Sequence, residues 1–597
     1  MNLSAISHKG AYPDIYLIDR KTLIFTLHTA VNDIKSCTLM YYSRTNCEKI
    51  FHAPMEYCFS DNYHSHYSVK IIFEDTARYQ KYYFKITDQA DCSYYFNAWG
   101  FCEDNPENGA FEFLYANQNN VLKIPEWSKG QIYYQIFPER FCDGNPKNNP
   151  KECSPWGTAP TRENYMGGDI KGILKHLDYL TDLGVDCIYL NPIFQGDFNH
   201  KYATTDYFKI DPQFGTEEEF LQLVDELHKR EIRILLDGVF NHCGIHFYAF
   251  KDLLENQQDS IYTDWFYVRH YPVNVSETNA PYECVGEYGY MPKLNTACEE
   301  VQNFICNVMI YWLEKFHIDG WRLDVADEVD NAAWTKARTE IKHRFPNALL
   351  LGETWGDGLE LVDGKQMDII MNYVFRDALR DFIAKESIDA STFSHRLFQM
   401  LSHYPEEQSL CLFNPLDSHD TERFLYFCNE NKEKLKLAVM IQMCFPGAPS
   451  IYYGDEIGIT GENDPDCRKC MVWNKKEQDL ELLEYYKKMI QLRKSEACLK
   501  SGKTIENFNK EKIFSFSRYY DSDEICVVCN SDSQNKTVLI PVMYPGKYEN
   551  LMNGSIYEAI EISDDENQVY NHSKFKGTIN VDLKPYEGKI LKRRITL

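Results

Sequence analysis

No apolar run in the 597 residues is long enough to cross a bilayer, which takes about 20 consecutive apolar residues. Positive charge is also scarce: 63 Lys and Arg stand against 89 Asp and Glu, for a net charge of -26. Such a chain repels nucleic acid and anionic membrane, so neither is expected as a partner, and a neutral polymer fits better. The opening MNLSAISHKGAYPDIYL lacks a basic segment followed by an apolar one, so no export signal is expected and the expected location is cytoplasmic. The 20 cysteines show no disulfide-framework spacing and are read as reduced thiols. Cys467 and Cys470 are the one close pair, but without a second pair or a His cluster they make no zinc site, and no role is assigned to them. Internal repeats, low-complexity tracts and Gly-rich phosphate loops are absent too.

What is present is a large folded chain. Its hydrophobic share of 44% and charged share of 25% are those of globular proteins, and its length calls for two to four domains. Residues 1–125 alternate in short runs such as IYLIDRKTLIFTLHT and KYYFKIT, the period of antiparallel strands, and predict an N-terminal β-sandwich. Over 126–502 eight apolar runs (GQIYYQIF, VDCIYLNPI, RILLDGVF, GWRLDVA, LLLGETW, MDIIMNYVF, LCLFNPLDSH, APSIYYGDE) alternate with eight amphipathic helical runs. Strands that are apolar throughout are buried on both faces, and this alternation predicts an α/β fold, a (β/α)8 barrel. Residues 243–298, after the third strand, carry little periodicity and predict an inserted lobe over the site. Alternation returns over 503–597, which predicts a C-terminal β-sandwich.

In such barrels the active site lies at the C-terminal ends of the strands. Strand three ends in Asp237 and His242, strand four in Arg322 and Asp324, strand five in Glu353, and strand seven in His419 and Asp420. Carboxylates beside two His and one Arg, with no Cys/His cluster, point to acid/base and carboxylate-nucleophile chemistry on an uncharged substrate. Glycoside hydrolysis needs that set: one carboxyl protonates the leaving oxygen and another attacks the anomeric carbon, about 5–5.5 Å away when configuration is retained.

The segments DGVFNH (237–242), GWRLDVADEV (320–329), GETW (352–355) and NPLDSHD (414–420), in this order, resemble the α-amylase superfamily. MPKLN (291–295), Glu328 and the leading β-domain resemble its neopullulanase, cyclomaltodextrinase and maltogenic amylase subgroup. The resemblance implies Asp324 as nucleophile, Glu353 as general acid/base and Asp420 as the third carboxylate, gripping sugar hydroxyls. It implies that Arg322 orients Asp324, that His242 and His419 donate to the sugar, that Tyr202 stacks on it, and that Asp237 supports Arg322 from below. A cation beside Asp324 is expected to lower its pKa, and burial near Trp355, itself in the substrate site, to raise that of Glu353. Ala203 stands where the family has Asp, so the loop around Tyr202 is expected to be held differently.

The resemblance further implies a structural Ca²⁺ held by Asp143, Asn145, Asn148, Asn149, Gly167 and Asp169, hard oxygen donors that suit the ion. The alternative is an Asn/Gly/Pro-rich turn that binds nothing. Lys293 in MPKLN argues against a second Ca²⁺. The implied activity is hydrolysis of maltodextrins, cyclodextrins and pullulan at α-1,4 bonds, with α-1,6 bonds as a further target and some transglycosylation, by a homodimer. The rivals are an α-glucosidase or α-amylase, and a non-catalytic carbohydrate-binding protein; survival of Asp324, Glu353 and Asp420 speaks against the last.

Overall fold

A computed structural model describes residues 1–562 and 574–594. Its centre is a parallel barrel of eight strands: Tyr133–Ile136, Cys187–Leu190, Arg233–Gly238, Gly320–Leu323, Leu349–Gly352, Ile369–Ile370, Phe413–Pro415 and Ala448–Tyr452. Strand one lies between strands two and eight, and the remaining strands follow in order around the ring. Closure between strands six and seven rests on a bridge from Met371 to Phe413, with the Asn372 amide donating to the Phe413 carbonyl at 2.7 Å. The strands are apolar throughout because each has two dry faces. Tyr133, Leu235, Leu351, Ile369 and Phe413 fill the barrel interior, while Tyr134, Ile188, Leu236 and Leu350 meet the outer helices.

Strand register positions the site. Asp237 pairs with Arg322, and Leu323 pairs with Gly352. Asp324 and Glu353 are the next residues on strands four and five, so parallel pairing puts both at one level at the C-terminal rim. Strand six is shorter than its apolar run suggests: Asn372 accepts a hydrogen bond from the Phe375 amide and caps the helix Tyr373–Leu379, ending the strand early.

Two insertions build the mouth. After strand two comes an antiparallel hairpin, Phe194–Asp197 with Ala203–Ile210, which the sequence reading did not anticipate; Tyr202 lies in its connecting loop. After strand three, residues 243–298 hold the helix Tyr248–Asn256 and 3-10 turns, packed on Phe250, Phe266 and Tyr282.

Before the barrel, two antiparallel sheets between Ile15 and Tyr115 enclose a core that includes Leu23, Phe25, Leu39 and Phe84. After it, among the described residues, eight antiparallel strands between Lys503 and Arg593 fold over a core that includes Cys526, Val528, Ile540 and Ile579. The fold class is thus as expected: a (β/α)8 barrel flanked by two β-domains. Among the described residues no helix is long and apolar enough to cross a membrane.

Candidate active site

Arg322 is the centre of the site. Its side chain is fully buried, and Nη1 donates to Asp237 Oδ1 at 2.8 Å, to Asp237 Oδ2 at 3.0 Å and to Asp324 Oδ1 at 2.8 Å. Its Nη2 lies 2.8 Å from Glu353 Oε1, close enough for an ion pair, although the N–H does not point at that oxygen. One guanidinium therefore touches three buried carboxylates, a forked geometry that lysine cannot supply.

These acids cannot all be ionised around one cation without a large penalty, so the set retains a proton near neutral pH. Burial pushes Asp237 upward, opposed by Arg322 and by Tyr189 (2.6 Å) and Tyr202 (2.8 Å), which donate to its Oδ2 and favour its ionised form. Burial pushes both Asp324 and Glu353 upward, against the pull of Arg322. For Asp324 this reverses the direction expected from its cationic neighbour: burial, with the nearby Glu353 and Asp237 carboxylates, outweighs Arg322. Hydrogen bonding then divides the roles. Asp324 receives an aligned Arg322 N–H; among the described residues Glu353 receives only the Val325 amide, at 2.9 Å on Oε2, and is the better site for the proton. Val325 adopts φ 44°, a strained left-handed conformation for a β-branched residue. That turn aims its amide at Glu353.

Trp355 is 52% exposed and stacks face to face on Tyr373 at 4.2 Å. Trp355 thus offers a flat apolar face at the rim.

His419 is fully buried, and the Gln135 amide donates to its Nδ1 at 2.8 Å. The ring proton therefore sits on Nε2, which faces Tyr202 Oη at 2.5 Å and Asp420 Oδ2 at 3.1 Å. Asp420 remains one-third exposed, and Arg468 Nη2 reaches its Oδ1 at 3.2 Å. His242 is 3% exposed and has no hydrogen-bond partner on either ring nitrogen among the described residues. Burial and the Lys293 ammonium push its pKa down to about 3, so it is a neutral ring with a free N–H. Tyr202 packs parallel to His419, with ring centroids 5.4 Å apart. Its loop is held by Lys201, whose Nζ meets Asp211 Oδ2 at 2.9 Å and the Gly196 carbonyl at 3.1 Å.

Sequence reading missed Gln135, Tyr189, Asn191 and Arg468. Asn191, whose side-chain amide donates to Tyr202 Oη at 2.9 Å, directly follows strand two and could have been found by the strand-end rule, whereas Tyr189 lies within that strand, level with Gln135. Gln135 lies within strand one, and Arg468 follows strand eight between the two close cysteines, where no motif marks them. Cys467 itself is buried, its Sγ against the His419 carbonyl at 3.2 Å.

The proposed calcium residues lie together. Asp143 Oδ1, Asn148 Oδ1, Asn149 Oδ1 and Asp169 Oδ2 are all buried without a hydrogen-bond partner among the described residues, an unusual concentration of unsatisfied acceptors. Gly167, at φ 84°, faces the Asn149 amide so closely that a Cβ could not fit. Among the described residues no three His, Cys, Asp or Glu converge as metal ligands, so an ion here would depend on amide and carbonyl oxygens, which suit Ca²⁺. Lys293 Nζ donates to Asn241 Oδ1 at 2.6 Å and to Glu328 Oε2 at 2.8 Å, occupying acceptors a second ion would need.

Three family models cover nearly the whole chain: "Alpha amylase, N-terminal ig-like domain" over 1–117, "Alpha amylase, catalytic domain" over 135–502 and "Alpha amylase, C-terminal all-beta domain" over 506–594. The chain is 39% identical over 602 residues to neopullulanase 2 of Thermoactinomyces vulgaris, covering 99% of each protein. It is 37% identical over 534 residues to the intracellular maltogenic amylase of Bacillus subtilis (strain 168), covering 87% of this chain and 90% of that one. A solved cyclomaltodextrinase structure superposes with a TM-score of 0.91 at 34% identity, over 99% of this chain and 100% of the other.

Proposed function

The chain belongs to the α-amylase family of glycoside hydrolases, and from that premise we propose that it hydrolyses maltodextrins, cyclodextrins and pullulan with retention of configuration. The observation that carries this reading is the single Arg322 fork touching Asp324 and Glu353 at 2.8 Å each. One guanidinium between two carboxyls favours the about 5–5.5 Å spacing of retaining enzymes over the about 6.5–9.5 Å that leaves room for water in inverting ones.

Asp324, ionised and aligned by Arg322, attacks the anomeric carbon. Glu353 gives its proton to the departing glucosidic oxygen, then takes one from the water that releases the sugar. Asp420 accepts hydroxyls of the distorted ring, while His419 Nε2–H and the free N–H of His242 donate to it, strengthening as charge develops at the anomeric carbon. Trp355 and Tyr202 supply ring faces for a sugar to pack on. Some transfer to sugar instead of water accompanies hydrolysis.

Asp143, Asn145, Asn148, Asn149, Gly167 and Asp169 would hold a Ca²⁺ that ties the loop after strand one to the start of the next helix, without entering the chemistry. The orphaned acceptors support this reading. A homodimer and a cytoplasmic location belong to the same proposal: all 20 cysteines are free thiols, as a reducing compartment would keep them, and a relative carries "intracellular" in its name.

Product analysis on cyclodextrin, starch and pullulan tests the substrate reading. Faster cleavage of cyclodextrin than of starch is expected; starch preferred over cyclodextrin would make the enzyme an ordinary α-amylase, and glucose alone from maltodextrin ends would make it an α-glucosidase. Light scattering tests the dimer, and a monomer at micromolar concentration would remove it.

A further inference from the structure

The segment that carries His419 and Asp420 is held from behind by a second group of buried acids. Asp417 Oδ2 accepts the Phe424 amide and closes the turn 417–424. Inside that turn the Ser418 amide donates to Thr421 Oγ1 at 3.1 Å and the Asp420 amide to Ser418 Oγ at 3.2 Å. Arg423, fully buried, reaches from the same turn toward the end of strand eight. Its Nη1 donates to Asp455 Oδ1 at 2.7 Å and to the Tyr453 carbonyl at 2.9 Å, and its Nε to the Cys467 carbonyl at 3.0 Å. Cys467 Sγ and Arg468 Nε in turn hold the His419 carbonyl, at 3.2 and 2.8 Å. A shift of Arg423 or Asp417 is therefore passed on to His419 and Asp420.

Asp455 follows strand eight, is buried, and makes a side-chain hydrogen bond with Asp417. Two buried carboxyl groups in contact cannot both be ionised beside one guanidinium without a large penalty, and the hydrogen bonds locate the proton. Among the described residues Asp417 has no ion-pair partner, and its buried Oδ1 receives no N–H or hydroxyl donor. A proton on Asp455 supplies that donor and leaves Asp455 Oδ1 free to accept from Arg423. The set then balances as one guanidinium, one carboxylate on Asp417 and one neutral acid on Asp455. Burial and the Asp417 carboxylate push the Asp455 carboxyl well above its ordinary range, against the pull of Arg423. Glu456, beside it, is satisfied elsewhere, by Tyr134 Oη and the Gly454 amide at 2.9 Å each.

We propose that Asp455 is a positioning residue for the reaction: it donates its proton to Asp417, locks the turn 417–424 against strand eight, and so sets where His419 and Asp420 meet the sugar. The proposal rests on the reading of those two residues as groups that hold the sugar at the cleavage point.

The test compares two variants of the full chain. Asp455→Asn keeps an N–H toward Asp417, an oxygen toward Arg423 and the charge of the neutral acid; Asp455→Ala removes both contacts. In Asp455→Ala kcat on maltotriose should fall about 10–100-fold, as a small misplacement of Asp420 would cause. KM should hardly change, because the distorted ring feels the shift more than the bound one. The same fall is expected on α-glucosyl fluoride, since protonation of the leaving group is not involved. Asp455→Asn should stay within about threefold of the native enzyme, one hydrogen bond replacing another. The infrared difference spectrum of native minus Asp455→Asn at neutral pH should contain a carboxylic-acid C=O band, a readout that needs neither activity nor a folded Asp455→Ala. A fall in Asp455→Asn as deep as that in Asp455→Ala, unchanged kcat in Asp455→Ala, or no acid band in the difference would overturn the proposal while leaving Asp324 and Glu353 in their roles. A native enzyme that turns over neither sugar would overturn the α-glucan reading and the positioning role with it.

Discussion

Gln135 donates its side-chain amide to Nδ1 of His419 over 2.8 Å, fixing Nε2 as the nitrogen that carries the proton toward Tyr202 and Asp420. A residue inside strand one thereby sets the tautomer of a ring at the end of strand seven. Gln135→Leu should remove that control while leaving the ring in place. A buried hydrogen bond of this kind contributes about 0.5–1.5 kcal/mol, so kcat/KM on maltotriose should fall by about 2–10-fold. Steady-state kinetics checks it, with the fall carried by kcat, because the proton on Nε2 serves the strained sugar more than the bound one. Unchanged kcat with raised KM would mean that Gln135 only shapes the pocket.

The pH response follows from Glu353. Its folded pKa is raised by burial, so two effects share one sign. Hydrolysis of maltotriose, which needs the protonated acid, should fall as pH rises through the folded pKa. The stability contributed by this group is fully present below the unfolded value of about 4.3 and is lost as pH rises from there through the folded value. Glu353→Gln cannot ionise, so its urea midpoint should gain on that of the native enzyme over this window. Parallel curves across the window would place the proton elsewhere in the Arg322 cluster.

The strand-end rule made much of this legible. Asp324 and Glu353 adjoin apolar runs that can only be buried strands, and register then brings them level; the barrel and its flanking β-domains followed from the same periodicities. What escaped was long-range. Gln135 meets its partner 284 residues away, and nothing local distinguishes it from a core residue. The sign of the Asp324 shift failed for a related reason: sequence shows the adjacent Arg322 but neither the depth of burial nor the other carboxylates that converge on it. The hairpin carrying Tyr202 was hidden because HKYATTDY has too short an apolar alternation to read as strand beside a barrel run.

The calcium loop makes a stability prediction. An ion that binds only the folded chain stabilises by about 2.7 kcal/mol at a hundredfold excess over Kd, so chelator should lower the melting temperature of metal-loaded protein. Asp143→Ala should give the lower value with or without chelator, while kcat at 25 °C stays unchanged. If the native enzyme, verified to contain calcium, melts at the same temperature in chelator, the loop holds no stabilising ion.

The division of roles between Asp324 and Glu353 is tested most directly by substituting each and supplying an α-glucosyl fluoride, whose leaving group needs little protonation. Glu353→Gln should lose about 10²–10⁴-fold on maltotriose, the usual share of general acid catalysis, yet still form the covalent glucosyl-enzyme from the fluoride, visible by mass spectrometry as an adduct on Asp324. Asp324→Ala should turn over neither substrate alone, and with added azide should release the β-glucosyl azide, the anion entering from the side the carboxylate has left. Retained fluoride turnover in Asp324→Ala without azide, together with its loss in Glu353→Gln, would contradict the assignment.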